Sequence, residues 1–441
     1  MAPGVWSFRR WRRLVVVLGT AASLLPLGHA PSAVAGERHA GIALAAGENG
    51  SGPPPVPVVY PQGVRLRTLA SASIRFSDLT SSDAWAKQAI QYVAGTNAWM
   101  RDFSPGTDGS YAFRPDDLET RKYFARSVVE AFAPDEAPDP SIVLSDVDAA
   151  SVWYPYIAVA VKHGWLAPST TGAFRPDDPV TMAMVHHALV LALGLKPAAV
   201  ALNHIHTVDG TTFPVPANFG TTLLGMRLGL RYNAPTGKES MDVAPFDDLS
   251  RAQVAYSLFH AATQPSWNID DLLTQYQDVE LPHLGPRRTA LVRWGIRFVG
   301  YPYVWGGEWG LRSPEPAALG GQPRSGFDCS GLTWWLLRAD DGQAWKVAPP
   351  RPYPGWALAQ RTSAEMAART PRRLTFDQLR PGDIMFYDGD GDGVTDHVDT
   401  YIGNGYSLDS SSTPGGVTIM WVANGWYRDH FLFGRRILPL T

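Results

Sequence analysis

The stretch FDCSGLTWWLL, residues 327–337, decides the interpretation of the C-terminal half of this chain. It contains Cys329, the only cysteine among 441 residues. Apolar residues follow it at helical spacing, so the sequence predicts a helix that begins at the cysteine and has Asp328 as its N-cap. A thiol at a helix N-terminus lies near the positive end of the helix dipole, which lowers its pKa and favours the nucleophilic thiolate. A small buried core residue is the alternative.

The N-terminus indicates that the cysteine belongs to an exported protein. A basic segment with four arginines precedes an apolar run over 14–27, and the small residues at 33–35 mark a cleavage site. We therefore predict a signal peptide over 1–35, with the general secretory and twin-arginine routes both open. An uncleaved anchor is the alternative, but a run of about fourteen residues is short for a bilayer. An exported chain with one cysteine relies on its cores rather than on intrachain disulfides.

The composition limits the classes of function. The chain is 45% hydrophobic and 18% charged with a net charge of −3, which is typical of a globular protein without a basic stripe for nucleic acid. No segment after the leader is long and apolar enough to predict a membrane span in the mature chain. Neither a phosphate-binding glycine loop nor a zinc cluster is evident, so we expect no cofactor.

Two connecting segments divide the mature chain. Residues 36–71 are rich in Ala, Gly and Pro, which predicts a flexible to semi-extended linker. Residues 265–284 form a second connector with one short helix.

An internal repeat lies between these connectors, over 72–264. AFRPDD at 112–117 recurs at 173–178, and PFDDLSR at 245–251 is a more divergent third copy. We expect three helix–turn–helix units, at about 72–132, 140–196 and 205–264, whose second helices are capped by Thr120, Thr181 and Ser250.

These motifs resemble the S-layer homology family. The resemblance implies an all-α, pseudo-threefold repeat bundle that binds secondary cell-wall polysaccharide non-covalently. It also implies that the arginine at the start of the second helix, here Arg121 and Arg251, lies in a polymer-binding groove. Met182 stands at that position in the second copy, so its groove would be weak or lost. The alternative is a scaffold in which both arginines are solvated surface cations.

A base for the thiol is predicted downstream. Segments 383–388 and 397–403 have strand composition, and Asn404-Gly405 marks a hairpin turn. His397 opens the first strand of the hairpin, and Asp409 lies on the second. Because side chains alternate along a strand, a strict two-residue turn would put these two side chains on opposite faces.

A three-residue loop over 403–405, with Gly405 left-handed and forming a bulge, would instead pair Asp399 with Asp409. His397, Asp399 and Asp409 would then share one face. The hypothesis of a Cys/His/Asp triad therefore predicts a bulged hairpin.

Four motifs resemble those of the NlpC-type cysteine peptidases, which are cell-wall endopeptidases with a papain-like α+β core: GYPYVWGG, FDCSGL, RPGDIMFY and DHVDTYIGNG. The resemblance covers about 285–441. It implies that Cys329 is the nucleophile and His397 the general base. The third polar residue, most often a histidine in that family, corresponds to Asp409, which can orient an imidazole as aspartate does in serine triads. Tyr303, Asp328 and Ser330 match positions that line the site and meet the substrate amine.

The segment DGDGDGVTDHVD, residues 388–399, also fits the spacing of a calcium loop, with its carboxylates at Asp388, Asp390, Asp392, Asp396 and Asp399. A polar turn between strands is the favoured interpretation, because position 12 is Asp rather than Glu and the loop contains His397. We therefore predict no metal site.

The sequence as a whole predicts an all-α S-layer homology repeat bundle followed by an α+β papain-like NlpC-type domain. The function predicted is that of a secreted, wall-anchored cysteine endopeptidase that cleaves peptidoglycan stem peptides, at the D-glutamyl–diamino acid bond by the resemblance. Its partners would be peptidoglycan and secondary cell-wall polysaccharide. Two alternatives stay open: a non-catalytic wall or S-layer protein with an inactive peptidase-like domain, and a cysteine amidase or acyltransferase on the same fold.

Overall fold

The computed structural model describes residues 74–235, 238–309, 316–317, 320–321, 326–338 and 358–439. All of them belong to one compact unit. The predicted signal peptide, the 36–71 linker and most of residues 306–326 lie outside the described residues. Within the described part of the chain, no helix has the length and apolar character needed to cross a membrane.

Helices dominate the repeat half, and their apolar faces join in one core. They are α1 (Lys87–Ile90), continued by a π-helical turn over Gln91–Thr96, α2 (Arg121–Phe132), α3 (Tyr154–Lys162), α4 (Met182–Ala192), α5 (Lys196–Asn203), α6 (Phe219–Arg227) and α7 (Arg251–Ala262). One short strand, β1 (His206–Thr207), interrupts them and pairs in parallel with β2 (Glu280–Leu281). The expectation of an entirely helical bundle is therefore wrong in this detail.

A closed ring of backbone hydrogen bonds joins the three repeats. The N–H at the start of each second helix donates to a carbonyl in the Pro-Asp-Asp or Phe-Asp-Asp turn of the next repeat, and the third repeat returns to the first. The three bonds run from Arg121 to Asp178 (2.9 Å), from Met182 to Asp247 (3.1 Å) and from Arg251 to Asp117 (2.8 Å). Because the ring uses only the backbone, the second repeat keeps its place although Met182 replaces the arginine.

The predicted helix caps are present in two of the three repeats. The Thr181 hydroxyl accepts from the Met184 N–H (3.4 Å), and the Ser250 hydroxyl accepts from the Gln253 N–H (3.3 Å). Thr120 has the same extended backbone but makes no side-chain cap, and its hydroxyl oxygen is buried without a hydrogen-bond partner. The cap prediction was wrong for the first repeat.

The second connector packs against the C-terminal half. It contains α8 (Ser266–Gln275) and β2, and the buried Tyr276 between them donates its O–H to the Ile419 carbonyl (2.6 Å). Tyr406 donates to the Gln275 carbonyl (2.7 Å). The buried apolar residues of both halves belong to the same cluster, so the repeats and the C-terminal half share one core.

The C-terminal half is built on a five-stranded antiparallel sheet with helices packed against it. Its elements are α9 (Pro286–Ile296), β3 (Glu308–Trp309), β4 (Pro316–Ala317), β5 (Gly320–Gly321), β6 (Gly326–Phe327), α10 (Cys329–Leu337), α11 (Ser363–Ala368), β7 (Ile384–Tyr387), β8 (His397–Gly403), β9 (Tyr406–Ser411), β10 (Gly416–Trp421), α12 (Gly425–Asp429) and β11 (Phe431–Arg435). The strand order is β10-β9-β8-β7-β11. This α+β arrangement agrees with the fold expected for the second half.

The β8–β9 hairpin has the register that the triad hypothesis requires, although by another route. Asn404 and Gly405 have positive φ values of 48° and 84° and form a two-residue turn. The predicted three-residue loop is therefore wrong. The extra residue is Ile402, which lies between the Tyr401–Ser407 and Gly403–Tyr406 pairs, and beyond it Thr400 pairs with Leu408. This bulge on β8 restores the parity that puts His397 and Asp409 on one face.

The two faces of the sheet have different environments. Val398, Ile402 and Leu408 belong to the main core, and Leu408 contacts α9 at Gly295. The other face carries a smaller cluster that includes Tyr387 and Met420 and is covered by the aromatic residues of α12. Side chains alternate along a strand, and His397 and Asp409 are the sequence neighbours of Val398 and Leu408. The two polar side chains therefore belong to this second face.

Candidate active site

Cys329 is the first residue of α10 and is buried, with 1% of its surface exposed. Asp328 caps the helix as predicted, because its carboxylate accepts from the Gly331 N–H (2.5 Å). Helix α10 packs against β8 and β9. The Ser410 hydroxyl donates to the Phe327 carbonyl (2.8 Å), which holds the segment before the cysteine at the end of the sheet where His397 begins β8.

His397 and Asp409 form a hydrogen-bonded pair. Nε2 of His397 lies 2.7 Å from Oδ1 of Asp409. The His397 side chain is 14% exposed, whereas that of Asp409 is fully buried. A carboxylate in this place fixes the orientation of the ring and stabilises the imidazolium that forms when the ring takes a proton.

Tyr427 holds the same carboxylate from the other side. Its O–H donates to Oδ2 of Asp409 at 2.9 Å, so the two oxygens of Asp409 have different partners. Burial, together with the Asp409 charge, raises the pKa of Tyr427 well above its usual range, which keeps the hydroxyl protonated and able to donate. No motif in the sequence connects Tyr427 with Asp409.

Asp399 is a second buried carboxyl beside Asp409, because the hairpin register places the two opposite each other. Tyr387 donates its O–H to Oδ2 of Asp399 (3.0 Å), and Oδ1 is buried without a hydrogen-bond partner. Burial and then the Asp409 charge raise the pKa of Asp399 to about 7. The site therefore holds a proton on Asp399 at mildly acid pH while Asp409 faces His397.

The cysteine side of the site is organised around Arg361, which the sequence analysis did not single out. Its guanidinium donates to Glu308 Oε2 (2.6 Å), to Asp328 Oδ1 (3.0 Å) and Oδ2 (3.1 Å), to Ser330 Oγ (2.8 Å) and to the Gly307 carbonyl (3.0 Å). Asp328 also accepts from the Gly306 N–H (3.0 Å).

The role of Asp328 and Ser330 towards a substrate amine stays a prediction, and this network shows how both residues are held within the protein. Both residues are 4% exposed, and both carboxylate oxygens and the hydroxyl are engaged within the protein. Tyr303 is also buried. Its N–H donates to the Gly415 carbonyl (2.8 Å), and it bridges to Phe327 two residues before the cysteine. These contacts hold Tyr303 beside the segment that precedes the cysteine.

The calcium-loop spacing does not close into a loop of ligands. Oxygens of Asp388, Asp390 and Asp392 lie within 4.8 Å of one another. Asp388, however, accepts the N–H groups of Gly391 and Gly393, as in a tight polar turn. Asp399, the required twelfth position, points into the second face of the sheet towards Tyr387. The turn interpretation agrees with these contacts.

Arg121 and Arg251 are buried at the repeat junctions, so the surface-cation alternative is wrong for both. Arg251 is neutralised by Asp102 and Glu119, each at 2.7 Å. Arg121 donates to the carbonyls of Phe174 (2.7 Å) and Ala167 (2.9 Å), and no carboxylate in the described part of the chain lies within ion-pair distance of it. The two arginines are therefore chemically different although the motif is the same.

Another histidine near the site has a different role. His430 stacks on Trp426 with a centroid distance of 4.6 Å, and its Nδ1 lies 2.7 Å from the Trp426 carbonyl. The imidazole that pairs with Asp409 is that of His397.

Comparisons with known proteins agree with the two halves of the fold. Residues 300–436 match the sequence model of the NlpC/P60 family, and residues 145–181, in the second repeat, match that of the S-layer homology domain. The chain is 29% identical over 141 residues to murein DD-endopeptidase MepH of Escherichia coli (strain K12). The matched stretch covers 32% of this chain and 42% of that protein.

Two further relatives are similar over stretches of comparable length. The probable endopeptidase YafL of Escherichia coli (strain K12) is 32% identical over 32% of this chain and 46% of its own length. The bifunctional muramidase/DL-endopeptidase CwlT of Bacillus subtilis (strain 168) is 28% identical over 33% of this chain and 36% of its own length. The chain spans less than half the length of these curated relatives.

Proposed function

We propose, from the premise that residues 300–436 form an NlpC/P60 domain, that this chain is a cysteine endopeptidase acting on peptidoglycan stem peptides. The observation that carries the proposal is the Asp409–His397 pair at 2.7 Å, at the same end of the sheet as a buried thiol on a helix N-terminus. A nucleophile, a base and a group that orients the base are the minimum for covalent amide hydrolysis.

In the proposed reaction the Cys329 thiolate attacks the amide carbonyl carbon. His397 takes the thiol proton through Nδ1, since Nε2 is bound to Asp409, and gives it to the leaving amine as the C–N bond breaks. Water then attacks the thioester, His397 accepts its proton, and the carboxylic acid and the thiol are released. Backbone N–H groups at the start of α10 stabilise the oxyanion.

The bond proposed is the amide between D-glutamate and the diamino acid. The NlpC-type resemblance and the DL-endopeptidase activity for which CwlT is named support this choice, whereas MepH is named for DD cleavage. The engagement of Asp328 with Arg361 supports substrates whose N-terminus is acylated, because this carboxylate has no remaining position for an ammonium group. A stem peptide still joined to glycan fulfils that condition.

The repeats are proposed to hold the exported enzyme on secondary cell-wall polysaccharide, which would raise its effective concentration at an insoluble substrate. Arg121 supports this role, because a buried guanidinium without a carboxylate partner can pair with an anionic group of a polymer. Arg251 is already neutralised, and Met182 offers no charge. We therefore place polymer binding at the junction between the first and second repeats.

The enzymatic proposal is tested by digesting purified peptidoglycan with the chain from residue 36 and with its Cys329→Ala variant, followed by mass spectrometry of the fragments. New fragments ending in D-glutamate are expected from the unmutated chain alone. An inactive wall protein would release none from either, and an amidase or a DD-endopeptidase would release fragments of other masses. The whole mature chain is used because its two halves share a core.

The anchor is tested by sedimentation with walls that keep or lack secondary polymer, in the Cys329→Ala background. Binding should depend on the polymer and fall about tenfold in Arg121→Met, as for a lost charge-assisted contact. Arg175→Met is the matched control, because Arg175 is an exposed cation near the same junction. Equal binding to stripped walls would refute the polymer proposal.

A further inference from the structure

Arg361 is a buried cation whose five N–H groups are all used. They reach two separate segments: Gly307 and Glu308 at the start of β3, and Asp328 and Ser330 at the start of α10. Arg361 itself stands just before α11, so its side chain joins these two segments to a third. A planar guanidinium can hold such a set of acceptors in fixed geometry, whereas an ammonium group cannot. The residue therefore fixes the framework in which Cys329 begins its helix.

The packing beside this cation leaves no room for a side chain at Gly331. A Cβ on Gly331 would lie 1.9 Å from the Gly307 carbonyl oxygen, 2.8 Å from the Arg361 guanidinium and 2.9 Å from the Asp328 carboxylate. Asp328 N–H in turn donates to Gly307 O at 3.0 Å. The backbone at the start of α10 thus contacts the backbone at Gly307 directly, and the Arg361 guanidinium packs against both.

The charges of the cluster bear on the thiol. Asp328 precedes Cys329 directly, and Glu308 is fully buried in the same network, so two carboxylates lie on the cysteine side of the site. Unopposed negative charge there would disfavour a thiolate. Among the residues that the structure describes, Arg361 is a cation that both carboxylates contact. Across the site, β8 contributes His397 and Asp399, β9 contributes Asp409, and the tyrosines 387 and 427 face that pair.

We infer that Arg361 is a positioning residue for the Cys329 nucleophile. It neutralises the carboxylates beside the thiol and locks the backbone amides at the start of α10 in the geometry that the oxyanion needs. It acts through Asp328, Glu308 and the Gly307 carbonyl and does not itself meet the reacting atoms. This inference rests on the proposed role of Cys329.

The test measures the rate of alkylation of the single thiol by iodoacetamide against pH, together with kcat and KM on peptidoglycan fragments. Arg361→Met should raise the apparent thiol pKa by about one unit and lower kcat about 10- to 100-fold, with a smaller change in KM. Arg361→Lys keeps the positive charge but loses the planar set of five N–H donors. The pKa of the Cys329 thiol in this variant should therefore stay near the wild-type value while kcat falls.

Asp328→Asn in the Arg361→Met background should bring the thiol pKa back towards the wild-type value, because it removes the unopposed charge. Arg436→Met is the matched control. Arg436 holds the buried Asp383 through two bonds, at 3.0 and 2.8 Å, away from the thiol. Its loss should reduce stability without moving the alkylation profile.

Unchanged alkylation and kcat in folded Arg361→Met would overturn the inference, and so would an equal shift in Arg436→Met. If Arg361→Met does not fold, the lysine variant decides: wild-type kcat in it would likewise overturn the inference. A wild-type protein that alkylates normally but releases no peptidoglycan fragments would instead refute the proposed function, so the two failures are distinguishable.

Discussion

The two sides of the proposed catalytic pair are built from opposite charge patterns. On the cysteine side, one arginine lies between two carboxylates and every N–H of its guanidinium is used. On the histidine side, two buried carboxyl groups, Asp399 and Asp409, face each other across the hairpin. In the described part of the chain no lysine or arginine lies within ion-pair distance of either.

This difference favours a thiolate–imidazolium pair. Negative charge on sulfur is tolerated where the nearby carboxylates are neutralised, and positive charge on the ring is stabilised where a carboxylate is left for it. The proposed pair needs both the neutralised carboxylates beside Cys329 and the carboxylate of Asp409 beside His397. Substitutions can change either set of charges separately.

Removal of the base should have the largest effect. His397→Ala is expected to lower kcat on peptidoglycan fragments by about 10³- to 10⁴-fold, because nothing else takes the thiol proton. His430→Ala is the control, since that ring stacks on Trp426 and does not pair with Asp409. Comparable losses in the two variants, measured by chromatography of the products, would contradict the assignment of the base.

Asp409→Asn should have the second largest effect, with a loss in kcat on the order of 10²-fold or more. The amide keeps the shape of the side chain but can present its N–H₂ to Nε2 and so select the wrong tautomer of His397. The KM should change little, because Asp409 is buried away from solvent. A variant with nearly wild-type kcat would show that the ring is oriented without this carboxylate.

Asp399→Asn tests the second carboxyl through stability. The pKa of Asp399 is raised to about 7 in the folded protein, against an ordinary value near 4, so the folded state binds a proton that the unfolded state releases between these pH values. Wild-type stability should therefore fall as pH rises from about 4 to 7 relative to the variant, by on the order of 3 kcal/mol.

Urea denaturation of both proteins at pH 5, 6, 7 and 8 measures this difference. Well above pH 7 the gap should stay constant, because Asp399 is then ionised in both the folded and the unfolded state. A gap that does not grow between pH 5 and 7 would contradict the raised pKa of Asp399.

Tyr427→Phe should have the smallest effect, about 5- to 20-fold in kcat, as for one hydrogen bond to a charged group. The matched control is Tyr401→Phe on the same face of the sheet, whose hydroxyl accepts from the Gly405 N–H and does not contact Asp409. Equal losses in the two variants would assign the effect to packing rather than to the hold on Asp409.

The elements with strong local signals were predictable. The helix start at Cys329 and its Asp328 cap follow from residue spacing and side-chain chemistry, and the structure has both. The sequence predicted that His397 and Asp409 share one face of the hairpin, but it did not predict where the bulge lies. Sequence parity required one extra residue, yet the location of the bulge at Ile402 rather than in the turn depends on how β8 pairs with both of its neighbours.

The rest of the site could not be predicted because its contacts join residues far apart in the chain. Arg361 meets Glu308 and Asp328 across a loop, and Tyr427 meets Asp409 from a short helix that crosses the sheet. Arg121 and Arg251 share a motif, but only Arg251 finds two carboxylates at its junction.

The sequence by itself indicated the repeats, the helix that begins at Cys329, the β8–β9 hairpin, and the thiol, imidazole and carboxylate of the triad hypothesis. These depend on periodicity, turn residues and side-chain chemistry, which are local properties. Only the tertiary structure decided which charges are neutralised and which are left for another group. That outcome depends on burial and on distances between remote residues, and a charge removed from water is stabilised only by the groups that the fold brings to it.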